Sequence, residues 1–193
     1  MTKKNFIIIG VGGYIAPRHL QAIKDTGNNL IAAYDISDSV GVLDQYFSEC
    51  EFFTDVQEFK YFIDQCLKEN TKIDYVTICS PNHLHKEQII WALSNNINVI
   101  CEKPLVLNED DLDEIQKIEA KTYAKVFSIL QLRLHPSITN FRDKVKDSLS
   151  NKILDIDLTY MTSRGKWYMK SWKGDEKKSG GITMNIGVHF FDM

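Results

Sequence analysis

The sequence predicts an α/β fold: a doubly wound parallel sheet with helices on both faces, followed by the start of an α+β domain with an open sheet. Three observations predict it. Short, continuously apolar runs recur along the first part of the chain, as in strands buried on both faces. Helical periodicity alternates with these runs through short connections. After about residue 135 the pattern gives way to strict alternation, the mark of a half-buried strand.

The elements follow in order. Phe6-Ile-Ile-Ile9 reads as a buried strand that stops at glycines, and residues 17–26 read as a helix. Leu30-Ile-Ala-Ala-Tyr34 repeats the strand pattern and ends at Asp35. Residues 56–68 form a helix with Phe59, Phe62, Ile63 and Cys66 on one face, and Tyr75-Val-Thr-Ile-Cys79 is the next strand, ended by Ser80-Pro81. A helix over 85–94, a strand over 98–101, an acid-led helix over 109–123 and a strand over 126–130 complete the alternating series. A helix over 137–149 and an alternating strand over 153–162 open the second domain. The expected division is 1–125 and 126–193, the second part incomplete, because a lone strand cannot bury its apolar face; a truncated sequence or gene fragment is expected.

Composition narrows the function classes. The 193 residues carry 23 basic and 26 acidic side chains, with 44% hydrophobic and 25% charged, so no global field points to nucleic acid or to a membrane surface. Cys50, Cys66, Cys79 and Cys101 are scattered without a CxxC pair or metal-ligand spacing, which predicts reduced, buried thiols and no metal. With no signal peptide and no 18-residue apolar stretch, a cytoplasmic protein is expected.

Four constellations carry chemistry. Gly10-Val-Gly12-Gly13-Tyr14-Ile15-Ala16 lies between a predicted strand and helix, where glycines let the backbone approach a pyrophosphate at a helix N-terminus. The third fingerprint position falls on Ile15, so the loop is one residue longer than usual; a plain glycine turn is the competing reading. Asp35, about 20 residues on, ends the second strand where a carboxylate accepts both ribose hydroxyls and repels a 2′-phosphate, favouring NAD over NADP. Ser80-Pro81-Asn82 stands at the carboxyl end of another strand, where such sheets bind ligands. Pro81 turns the chain away, Asn82 is placed to bond the cofactor, and His83 reads as structural.

Glu102-Lys103-Pro104 follows the next strand at the same sheet edge, where a lysine can hydrogen-bond a substrate hydroxyl; a solvated surface lysine is the bland alternative. Last, Asn185, His189 and Asp192 are spaced for one helix face within Gly180-Gly181 to Asp192. A neutral His189 there can take an alcohol proton, although a helix histidine is also an ordinary core group. Arg164, Lys166, Lys170 and Lys173 interleave with Trp167, Tyr168 and Trp172, offering cations to an anionic ligand and flat faces for stacking. A solvated basic loop would not need three large aromatics.

Together these pieces resemble the Gfo/Idh/MocA oxidoreductases along the whole chain, in order. The resemblance implies an N-terminal Rossmann domain, NAD as cofactor, and a C-terminal α/β domain whose open, mostly antiparallel sheet often serves oligomer formation, here a homotetramer. It adds Tyr14, Ile15, His85, Glu102, Lys103 and Gln131 to the cofactor set of Gly10, Gly12, Gly13, Asp35, Ser80, Pro81 and Asn82.

Gly12 to His19, Asp38-Ser-Val-Gly41, Thr162 to Tyr168 and Ser171 to Asp175 resemble a narrower group, the WlbA/WbpB UDP-N-acetyl-2-amino-2-deoxy-D-glucuronate dehydrogenases of lipopolysaccharide O-antigen synthesis. That likeness implies oxidation of the 3′-hydroxyl of UDP-N-acetylglucosaminuronic acid, with 2-oxoglutarate able to reoxidise NADH. Lys103, His189 and Asn185 become the catalytic expectation, and Arg164, Trp167, Tyr168, Trp172, Lys173, Asn185 and His189 the substrate set. Where many members have Asp, this chain has Asn185, which cannot take a proton, so base duty falls to His189. The alternatives are another sugar dehydrogenase of the same family, an NAD-binding sensor, or an inactive fragment.

Overall fold

The computed structural model describes residues 2–148, 155 and 157–193. They fall into two compact units, Met1–Ile129 and Leu130–Met193.

The first unit is a six-stranded, all-parallel sheet: β1 (Asn5–Ile9), β2 (Asn29–Tyr34), β3 (Glu51–Phe53), β4 (Tyr75–Ile78), β5 (Asn98–Cys101) and β6 (Val126–Ser128), in spatial order β3-β2-β1-β4-β5-β6. The order reverses between β1 and β4, which places a crevice at their carboxyl ends. Strand burial on both faces has a direct sequence cause. Ile7 and Ile9 of β1 enter one core with Phe59, Ile63, Val76, Ile78, Ile89 and Leu93, while Phe6 and Ile8 enter a second core with Leu20, Ile23, Leu30 and Ala33.

Helices cover both faces. α1 (Ala16–Asp25) buries Ala16, Leu20 and Ile23 and ends at Gly27, whose φ of +71° suits the left-handed cap. α2 (Val42–Tyr46) and β3 lie in a stretch where the sequence predicts no element; three residues, Glu51-Phe-Phe53, are too few to show a period. α3 (Val56–Lys68) starts at Asp55, whose carboxylate accepts from the amides of Gln57 (2.7 Å) and Glu58 (3.1 Å). α4 (His85–Ser94) and α5 (Glu109–Glu119) follow, α5 capped by Asn108 and carrying three acids in its first turn. The predicted end of α5 at residue 123 moves back to Glu119, since the chain turns there to enter β6.

Because Val126 pairs with Val99, β6 belongs to the first sheet, and the division expected at 125/126 falls after it.

The second unit contains a 3₁₀ turn (Gln131–Leu134), α6 (Pro136–Ser148), α7 (Lys166–Lys170), a second 3₁₀ turn (Trp172–Gly174), α8 (Glu176–Ser179), and a π-wound turn (Thr183–Gly187) running into α9 (Val188–Asp192). Of the strand predicted over 153–162, residues 153, 154 and 156 lie outside the described residues, and Asp155 and residues 157–162 are exposed and form no strand. No described segment of this unit offers a strand edge to take their backbone hydrogen bonds, and an unpaired strand is not stable. Among the described residues no helix is long and apolar enough to cross a membrane, and no group of three potential metal ligands occurs.

Candidate active site

In the first unit the candidate residues collect at the carboxyl ends of β1, β2, β4 and β5. Gly10 leaves β1 at φ +83°, and a β-carbon there would stand 2.6 Å from the Ser80 amide nitrogen, so the turn after β1 presses on the end of β4. The Gly12 amide donates to Asp35 Oδ2 at 2.8 Å, and a β-carbon on Gly12 would meet that same oxygen at 3.1 Å. Asp35 Oδ1 accepts from the Ser37 amide at 3.0 Å. The carboxylate is thus held by two backbone donors while each oxygen keeps a lone pair for a diol. No side chain caps the N-terminus of α1, which leaves its positive dipole end for a pyrophosphate. A bare-backbone cradle, a fixed carboxylate and an open helix end fit an NAD molecule.

A cleft of about 420 Å³ opens beside Asp35, lined among others by Ile36, Lys60, Pro81, Leu84 and Trp91. It has the size and apolar walls an adenosine needs. Ser80, predicted for the cofactor, lines it and donates from Oγ to Gln88 Oε1 at 2.6 Å. Burial, then the charges of Asp35 and Asp55, raise the Tyr34 phenol above its usual range, keeping it neutral in this wall.

His85 corrects the predicted set. It is fully buried, and its two ring nitrogens lie 2.9 Å from the carbonyl oxygens of Pro104 and Ser80. Burial pulls the ring below the usual imidazole range while the Ser80 and Pro104 carbonyls push it back up, and the ring sits enclosed between the loop after β4 and the loop after β5 instead of touching a cofactor. Asn82 is likewise buried, whereas Tyr14 is open.

Lys103 follows Glu102 after β5, and its peptide bond to Pro104 is cis. Lys103 is half-buried at the carboxyl end of β5. Glu102 Oε1 lies 2.8 Å from His19 Nε2, both side chains largely covered, so the first turns of α1 hold the Glu102-Lys103-Pro104 loop. Sequence analysis assigns His19 no role; 83 residues separate the pair, and no local period connects them. Cys79 and Cys101 are buried on opposite cores, and burial drives both thiols well above their usual range, away from nucleophile chemistry. Cys50 and Cys66, expected to be buried, are half-buried, with the Cys50 thiol raised by burial to about 11.

The second unit gathers the expected cations and aromatics. The Arg164 guanidinium lies 5.2 Å from the Tyr168 ring centre, and Lys173 Nζ lies 5.6 Å and 5.7 Å from the rings of Trp167 and Trp172. Burial first, and then the charge of Arg164, lower the Lys173 ammonium below its usual range. Two cations held together over aromatic faces raise each other's demand for an anion. Lys166 and Lys170 of α7 stay exposed.

Asn185, on the π-wound turn, and His189, on α9, are each buried to 7% exposure; the spacing predicts one helix face for them and Asp192. The π-wound turn that carries Asn185 is of a kind frequent at functional sites. Asp192, the third residue of that face, is taken by Arg133, whose Nε donates to Oδ2 at 2.8 Å and whose Nη2 donates to Oδ1; this pairing lowers the carboxyl below its usual range. Gln131, expected at the cofactor, stands exposed at the head of this unit.

Residues 4–129 match the Gfo/Idh/MocA oxidoreductase family, NAD-binding Rossmann fold, and residues 151–193 match the C-terminal alpha/beta domain of the same family. Over 98% of its length the chain is similar to the WlbA (WbpB) dehydrogenase of Thermus thermophilus: at 46% identity and a TM-score of 0.93 to the complex with NAD and UDP-GlcNAcA, and at 43% and 0.90 to the complex with NAD and alpha-ketoglutarate. It spans 61% and 60% of those chains. The D-glucoside 3-dehydrogenase of Escherichia coli (strain K12) is 26% identical over 125 residues, 63% of this chain and 34% of that protein.

Proposed function

Since the chain belongs to the Gfo/Idh/MocA oxidoreductase family, with its NAD-binding Rossmann fold, we propose that it serves the NAD-dependent oxidation of a nucleotide-sugar alcohol, the 3′-hydroxyl of UDP-N-acetylglucosaminuronic acid, in lipopolysaccharide O-antigen synthesis. The observation that carries the reading is the Gly12 amide docked on Asp35, because a plain glycine turn has no use for a carboxylate fixed at the end of the neighbouring strand. The cation-aromatic cluster supports the anionic sugar nucleotide, as does the 46% identity to a dehydrogenase crystallised with NAD and UDP-GlcNAcA.

When bound, NAD supplies the acceptor for the hydride that leaves the sugar carbon. The rest of the work falls to side chains. His189 removes the hydroxyl proton, so that the carbon-oxygen single bond becomes a ketone as hydrogen leaves the carbon. Lys103 donates a hydrogen bond to that oxygen and orients it. Asn185 positions the sugar; Arg164 and Lys173 pair with its carboxylate and pyrophosphate, and Trp167 and Trp172 offer stacking faces. Reoxidation by 2-oxoglutarate is part of the same proposal, supported by the Thermus complex with alpha-ketoglutarate.

The test mixes the protein with NAD and UDP-N-acetylglucosaminuronic acid and follows absorbance in the NADH band. Turnover is expected, and Lys103→Ala is expected to lower it by about 10²- to 10⁴-fold. Unchanged turnover in that variant refutes the role of the lysine, and no NADH from the unmodified protein refutes the substrate.

A further inference from the structure

The Glu102-Lys103-Pro104 loop is held from both faces of the sheet. The Glu102 amide donates to the Ile78 carbonyl at 3.0 Å, which keeps the start of the loop on the end of β4. The Glu102 side chain meets His19 of α1, Oε1 to Nε2 at 2.8 Å, and both side chains are only 12% exposed. On the far side of Lys103, Pro104 is buried, and its carbonyl oxygen lies 2.9 Å from Nδ1 of His85, the first residue of α4. Since α1 packs into one core and α4 into the other, Lys103 stands between two neighbours that are fastened to opposite faces.

The partner settles the sense of the His19 contact. A carboxylate offers only lone pairs, so the hydrogen sits on Nε2, whatever the state of Nδ1, and Nε2 donates. The pairing at Oε1 leaves the acceptor capacity of Oε2 untouched. Of the two elements that meet here, α1 is the firmer: its Ala16 and Leu20 are fully buried and Ile23 nearly so, whereas Glu102, Lys103 and Leu105 are half-buried.

Strand order decides what the loop faces. A dinucleotide on a doubly wound sheet crosses the switch point, here between β1 and β4. With Asp35 and its cleft assigned to the adenosine half and the N-terminus of α1 to the pyrophosphate, the nicotinamide half falls toward the carboxyl ends of β4 and β5, the strands that Glu102 and Lys103 follow.

We propose that His19 is a positioning residue: through Glu102 it fastens the loop that carries Lys103 to α1, so that the helix receiving the pyrophosphate also sets the groups that meet the nicotinamide half and the reacting hydroxyl. The part that concerns Lys103 rests on the function proposed above; the part that concerns NAD does not.

ADP and NADH separate the two halves of the site. ADP reaches only the adenosine cleft and the N-terminus of α1, whereas NADH extends to the loop after β5. His19→Leu fills the space of the ring without its donor and is expected to weaken NADH binding about ten-fold, read by NADH fluorescence, while calorimetry finds the ADP affinity within about two-fold of the unmodified protein. His19→Gln, whose amide nitrogen has about the reach of Nε2, is expected to bring NADH affinity back to within about three-fold. In a Glu102→Leu background the same His19→Leu change is expected to cost less than about two-fold, because the partner is already gone.

Unchanged NADH affinity in His19→Leu overturns the proposal. So do equal losses for ADP and NADH, no recovery with glutamine, or a loss that persists in full without Glu102, the results that a histidine merely filling space would give. If the unmodified protein oxidises no nucleotide sugar, the substrate reading fails by itself, and the two binding constants still decide whether His19 seats the loop.

Discussion

Gly10 and Gly27 form a matched pair for testing the cradle. Both adopt left-handed φ values, +83° and +71°, so alanine at either meets a penalty of about 1–2 kcal/mol, partly offset by the roughly 0.4–1 kcal/mol that Gly-to-Ala gains by restricting the unfolded chain. Their surroundings differ. Around Gly27 a β-carbon meets nothing within 4 Å, whereas at Gly10 it would stand 2.6 Å from Ser80 N, 2.7 Å from Cys79 C and 2.9 Å from Cys79 O. Those atoms are backbone at the end of β4 and have no rotamer by which to move aside, so about 1–3 kcal/mol of overpacking adds to the first term. Gly27→Ala is therefore expected to cost about 1 kcal/mol or less, and Gly10→Ala about 2–4 kcal/mol. Urea unfolding followed by circular dichroism measures both, with NAD titration of the folded variants beside it; only Gly10→Ala is expected to weaken NAD binding. Equal losses from the two substitutions would refute the argument that the cradle has no room for a side chain.

Two further predictions concern the frame that holds the site. Asp74 accepts from the Asn5 amide at 3.0 Å and pairs with Lys72 and Lys4; burial pushes its carboxyl up, but Lys72, the Asn5 amide and Lys4 together hold it below the usual range. A carboxyl lowered in the folded state stabilises above its unfolded pKa and loses that contribution as pH falls through the folded value, so Asp74→Asn is expected to cost about 1–3 kcal/mol at pH 7 and progressively less below about pH 4; a penalty equal at pH 7 and pH 3 in thermal melts contradicts it. Asp55→Ala removes the acceptor for two amides at the start of α3 and is expected to cost about 1 kcal/mol by urea midpoint, against nearly none for Asp55→Asn, which keeps a capping oxygen.

The parallel sheet was legible because each strand states its burial in four or five adjacent residues: Phe6-Ile-Ile-Ile9 is apolar on both faces since both faces meet helices. Asp35 was legible for a similar reason, lying at a fixed offset from the glycines and ending a strand. Strand β3 was not, having three residues and an edge position. The strand expected over 153–162 shows the limit from the other side. Alternation reports a face that could be buried, but a strand also needs a neighbour for its backbone, and no described residue of the second unit supplies one.

Within the site the same division holds. Spacing alone put Asn185 and His189 on one face, and composition alone put cations among aromatics. That His85 is enclosed between two loops, that His19 meets Glu102, that Arg133 takes Asp192 and that Asn185 donates to Tyr168 were decided by the tertiary structure. The physical reason is range. Helical and strand periods, caps and glycine turns are set by interactions among residues a few positions apart, and a sequence displays them directly. A hydrogen bond between residues 17, 59 or 83 positions apart exists only because the chain's path returns them to one place, and neither partner carries a mark of the other.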